Sequence, residues 1–109
     1  MSNEIDYTVS SGNVFADLGV ADPDEADTKA ELAFQINSLI ESRGLTQVEA
    51  ATVLGINQPK VSALRCGRLT GFSVERLLRF LAELGNDVDI VVTPTVRDSQ
   101  RGHIRVLAQ

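Results

Sequence analysis

The sequence is poor in the residues that build catalytic and metal centres. It has one cysteine, Cys66, and one histidine, His103. A lone cysteine excludes an intrachain disulfide framework and fits a reducing cytoplasm. Without a cysteine pair or a second histidine, no zinc-type ligand set is expected, and neither a metal nor another cofactor is called for. No glycine-rich loop matches a P-loop or a dinucleotide fingerprint, and GFSVE (71–75) is not a nucleophile elbow. Asp87 and Asp89 read as solvated carboxylates with no partner for acid–base work. An enzyme is therefore not expected. No apolar run approaches about 18 residues, so no membrane span is expected. The opening MSNEIDYTVSSGN has neither the basic nor the apolar region of a signal peptide. Internal repeats and low-complexity segments are missing too. What remains is a chain of 109 residues, 43% apolar, enough for one domain with a small core.

The net charge is −5, but it is unevenly spread. Residues 1–31 hold eight acids (Glu4, Asp6, Asp17, Asp22, Asp24, Glu25, Asp27, Glu31) against Lys29, a net of −7. Residues 32–80 hold six bases (Arg43, Lys60, Arg65, Arg68, Arg76, Arg79) against three acids (Glu41, Glu49, Glu75), a net of +3. Residues 81–109 come to −1. The acidity belongs to the N-terminal part, and the middle of the chain is mildly basic. An acidic arm either aids solubility or meets a basic partner.

Residues 1–26 show no periodicity apart from an apolar cluster of Val14, Phe15 and Leu18, and Pro23 with its aspartates reads as a turn. Thr28 and Glu31 have capping-box spacing and predict the start of a first helix. Leu32, Ile36, Leu39 and Ile40 form its buried stripe, and Gly44 its left-handed end. Thr46 and Glu49 repeat that spacing and open a second helix with Ala50, Ala51 and Leu54 inward. Gly55 supplies a sharp turn, Asn57 caps a third helix, and Pro59 sits in its first turn, where a missing N–H costs little. Val61 and Leu64 are its buried pair, and Gly67 ends it. Ser73 caps a fourth helix carrying Leu77, Leu78, Phe80, Leu81 and Leu84, which stops at Gly85. After Gly85 the period changes. DVDIVVT (87–93) alternates Val88, Ile90 and Val92 and predicts a strand, and HIRVLA (103–108) predicts a weaker one. The two would form a hairpin with a long loop, or the first would pair with its copy in a second subunit, since an unpaired apolar edge is a liability.

Two short helices joined by a three- or four-residue turn can cross steeply, so that the second lies in a DNA major groove while the first braces the backbone. Stepping about 100° per residue, Val61 and Leu64 fall on one side of the third helix. Pro59, Ser62, Ala63 and Cys66 fall on the other, flanked by Gln58 and Lys60, with no acid and no large hydrophobe among them. Gln58 can pair with adenine, and Lys60 can donate to guanine or phosphate. Pro59 and Ala63 offer apolar contact only. Gln47 can reach a phosphate beside the free N–H groups of the second helix, and Ser62, Arg65 and Arg68 are further phosphate candidates. Taken singly, each reads better as a solvated side chain. Together, the cap, the small pair, the turn glycine, the buried pair and the acid-free face point to a nucleic-acid reader.

TQVEAATVLGINQPKVSALRCG resembles the helix-turn-helix of the Xre/Cro-type phage-repressor superfamily. With SGNVFADLG (11–19), KAELAFQI (29–36) and GFSVERLLRFLAELGNDVDIVV (71–92), the chain looks like the HigA-like antitoxin branch, from about residue 11 to 93. The resemblance implies a lambda-repressor-like, mainly α bundle of four to five helices, dimeric on palindromic double-stranded DNA, that represses its own operon. It also implies a small, basic RelE/HigB-type toxin as partner. Family DNA contacts map onto Gln47, Gln58, Pro59, Lys60 and Ser62. Pro59 and Ala63 depart from strong readers because they make no hydrogen bonds to bases, which shifts weight to DNA shape.

The reading is then an acidic arm (1–26), a helix-turn-helix domain (27–85) and a C-terminal strand with a tail (86–109). Val14, Phe15 and Leu18 are expected either to contact the toxin or to pack, back on the helices or across the dimer. Val88, Ile90 and Val92 are expected to pair with a second copy or with the toxin. The same fold without a toxin, as a stand-alone regulator, and a protein-interaction module that has lost DNA binding are the alternatives.

Overall fold

Pro23 opens the first helix. The computed structural model describes residues 23–95 and 101–108, and holds four helices there: α1 (Pro23–Ser42), α2 (Gln47–Leu54), α3 (Gln58–Arg65) and α4 (Val74–Glu83). The expected start at Thr28 is thus too late by more than a turn. Proline at the first helical position has its φ already set, and Asp24 and Glu25 in the first turn suit the positive end of the helix dipole. Pro23 and Asp24 belong to a helix opening and not to a turn. Thr28 lies inside α1, buried, and its hydroxyl has no hydrogen-bond partner among the described residues, so the Thr28–Glu31 capping box does not form.

The other boundaries follow the sequence. Thr46 and Glu49 form a capping box: Glu49 N–H donates to Thr46 Oγ1 at 3.1 Å, and Thr46 N–H donates to Glu49 Oε1 at 2.8 Å. Asn57 Oδ1 accepts from Lys60 N–H at 2.9 Å, and Ser73 Oγ accepts from Arg76 N–H at 3.1 Å. Gly55 closes α2 at φ 71°, a left-handed conformation that a side chain would strain. The connection from α2 to α3 is only Gly55, Ile56 and Asn57.

α1 packs on α4 and α3, and α2 packs on α3 and α4. The shared core holds Leu32, Ile36 and Ile40 from α1, Ala50, Ala51 and Leu54 from α2, and Val61 and Leu64 from α3. Leu77 and Phe80 of α4 and Leu84 complete it, while Leu39, Leu78 and Leu81 are partly buried around it. Phe72, in the α3–α4 loop, is also buried and meets Phe80 edge-on, with ring centroids 5.9 Å apart. Sequence periodicity passes over Phe72 because it belongs to no helix.

The expected C-terminal strands do not form. Among the described residues no segment is a β-strand, and residues 86–95 run on without regular structure. Alternation supplies faces for a strand but not the neighbouring backbone that must accept and donate its hydrogen bonds. Without that ladder Ile90, Val91 and Val92 are 76%, 80% and 89% exposed. Residues 103–108 instead return to the start of α1. Ile104 N–H donates to Asp24 Oδ2 at 3.3 Å, His103 Nδ1 lies 3.7 Å from the same oxygen, and Val106 packs on the core.

Candidate nucleic-acid interface

α3 is held from three sides. Inward, Val61 and Leu64 are fully buried, which fixes its rotation about its own axis. From α1, Asn37 Nδ2 donates to the Leu64 carbonyl at 3.2 Å, a contact between residues 27 positions apart. That carbonyl lies in the last turn of α3, where no intrahelical donor remains, and Gly67 N–H also reaches it at 3.2 Å. From α2, Gln47 Nε2 donates to the Gln58 carbonyl at 3.4 Å, so the first turns of α2 and α3 are tied together. The sequence marks Gln47 as a phosphate contact. It does not reveal this second bond, nor the part Asn37 plays in placing the reading helix.

The outward face carries exposed Gln58 and Pro59, with Ser62 half-buried beside them. Ala63 is turned partly against the core, which leaves less of it for a base than a wheel projection suggests. Cys66 is exposed but lies beyond the last helical residue, at the C-cap.

The basic residues divide. Lys60 is half-buried, and its ammonium lies 5.5 Å from the centre of the Phe72 ring. This contact holds the charge near the α3–α4 loop, and an ammonium over an aromatic face is favoured by the ring quadrupole. Arg65 turns toward α1 and pairs with Glu41 at 3.5 Å. Arg68 is exposed in the turn after α3. Gln47 is exposed at the first position of α2. The cap at Thr46 takes up the N–H of Glu49, and the remaining first-turn N–H groups of α2 offer a site of the kind that phosphates occupy.

The sequence of α2 and α3 differs in charge from the chain as a whole. Between Glu49 and Glu75 the sequence contains no acid, while Lys60, Arg65 and Arg68 are bases. Glu49 itself is folded back onto the Thr46 N–H. The net −5 of the chain therefore does not describe the surface that α2 and α3 present. Of the other residues expected at sites, Val88, Ile90 and Val92 are exposed and remote from any ladder. Val14, Phe15 and Leu18 lie outside the described residues. Among the described residues no group of histidine, cysteine, aspartate or glutamate side chains is arranged to hold a metal ion. No described helix is long and apolar enough to cross a membrane.

Three similarities bear on this edge. A family model described as a helix-turn-helix domain matches residues 14–93. Over 60 residues the chain is 33% identical to a Mycobacterium tuberculosis (strain ATCC 25618 / H37Rv) protein named as a candidate antitoxin, HigA2. That match covers 55% of this chain and 59% of the relative, so the chain spans less than two thirds of that protein's length. A solved structure of a candidate XRE-family transcriptional regulator is 47% identical, with a TM-score of 0.76. It covers 82% of this chain and 100% of its own.

Proposed function

The chain belongs to the helix-turn-helix domain family, as an Xre-type, HigA-like DNA-binding regulator and not an enzyme, and from that premise we propose that it is the antitoxin and autorepressor of a toxin–antitoxin operon. The observation that carries the DNA half is the stretch without acids that presents α3 through Gln58, Pro59 and Ser62. In this reading Gln58 reads a base edge, Lys60, Arg68 and Gln47 hold phosphates, and Pro59 and Ala63 touch apolar groups. Arg65 acts mainly by fixing α3 to α1 through Glu41. Two copies would set two reading helices about 34 Å apart on one side of a palindromic operator, and the exposed side chains of Val88, Ile90 and Val92 offer an apolar surface to the second copy.

The toxin half rests on charge. An N-terminal part with net −7 is repelled by DNA but attracts a small, basic RelE/HigB-type protein, with Val14, Phe15 and Leu18 as apolar contacts. The first test is coexpression with the product of the adjacent small reading frame. Growth arrest by the neighbour, relief by this chain and copurification of the two support the antitoxin reading. A harmless or non-binding neighbour removes that half and leaves a stand-alone regulator. The DNA half is tested separately, by titrating the operon's own promoter at two salt concentrations. Binding that does not weaken with salt would contradict phosphate-based docking.

A further inference from the structure

Phe34 is the anomaly of α1. It sits at mid-helix and is 64% exposed, while Leu32, Ala33, Ile36 and Ile40 are buried. Residues three, four and seven positions away share its face. Among these, Ala30 and Ser38 are exposed and small, leaving the ring accessible. Asp27, Glu31 and Glu41 are acids, and α1 places no base on this face. Arg65 reaches it from α3 and pairs with Glu41, while Glu31 accepts from Gln35 Nε2 at 3.0 Å. Lys29 projects elsewhere and pairs with Glu25.

An exposed aromatic ring with a charged rim has the make-up of an interface hot spot, in which the ring supplies the affinity and the rim the choice of partner. The sign of the rim excludes nucleic acid and favours a basic surface. We propose that the Phe34 face of α1, rimmed by Asp27, Glu31 and Glu41, docks a basic protein. This rests on the antitoxin reading and names the toxin as the occupant. Phe34 lies on α1, whereas Gln58 and Pro59 lie on α3.

The test uses the full chain and the purified protein encoded beside it, with affinity measured by calorimetry. Phe34→Ser alters an exposed residue outside the DNA-reading edge, so promoter binding should be unchanged and reports an intact fold. It should weaken the toxin complex about thirtyfold or more, as truncation of an interface aromatic does. Asp27→Asn with Glu31→Gln should lower the affinity less and flatten its dependence on salt. If the neighbour binds Phe34→Ser as tightly as the parent chain, the docking face is wrong while the antitoxin reading survives. If the neighbour binds neither protein, both fall. If Phe34→Ser instead turns a dimer into a monomer without touching toxin affinity, the face belongs to a second copy and the proposal is overturned.

Discussion

α3 and the segment from Asp87 to Thr93 are of similar length, and both carry a regular spacing of apolar residues. Their fates differ. In α3, Val61 and Leu64 are fully buried, with α1 and α2 packed against the helix. In the C-terminal segment Ile90 and Val92 stand in solvent. Helical hydrogen bonds close within α3 itself, so its burial needs only a surface to pack on. A strand also needs a second backbone, and none lies alongside among the described residues. Periodicity therefore predicted structure where the local element could complete its own bonds, and failed where completion depended on another segment.

This contrast can be broken or sharpened by mutation. The largest effect is expected at Leu64. Leu64→Ala should cost about 2–5 kcal/mol, because the surrounding helices collapse only partly into the space left behind. Urea denaturation followed by circular dichroism would measure it, and a loss well under that range would mean that α3 is less firmly seated than its burial indicates. Next comes Lys60→Glu, which places an acid in the stretch that has none. Affinity for the operon's promoter should fall on the order of tenfold or more, with a shallower slope of log K against log salt. An unchanged slope would remove Lys60 from the phosphate contacts.

Thr28→Val sharpens the comparison from within the core. The Thr28 hydroxyl is buried without a partner among the described residues, so replacing it with a methyl group of similar size should raise stability by about 1 kcal/mol. A destabilised variant would show that the hydroxyl has a bonding partner after all. The smallest effect is expected at Ile90. Since its side chain is solvated, Ile90→Ser should leave monomer stability within about 0.5 kcal/mol. Sedimentation of the same variant reports separately on whether that surface serves a second copy: a weakened dimer would support the proposed contact, and an unchanged one would remove it.

Much of the helical scaffold was legible because its signals are short-range. Thr46, Asn57 and Ser73 cap through bonds to residues three positions on, and Gly44, Gly55 and Gly67 adopt positive φ where a helix has to end. The early start of α1 was legible too, in Pro23 followed by Asp24 and Glu25, but the same residues also fit a turn. The reading face was legible in part. The wheel that buries Val61 and Leu64 also turns Gln58 and Pro59 outward.

The sequence by itself determined the helix boundaries from α2 onward, the buried stripes and the sign of the charge along the chain, because each depends on residues a few positions apart. Only the tertiary structure decided that Arg65 turns to Glu41, that Lys60 lies over Phe72, that Asn37 holds the end of α3, and that Phe34 faces solvent. It also decided that the described residues after α4 form no ladder. The direction of a long side chain, like the pairing of a strand, is set by groups far away in sequence, and those meet only when the chain has folded.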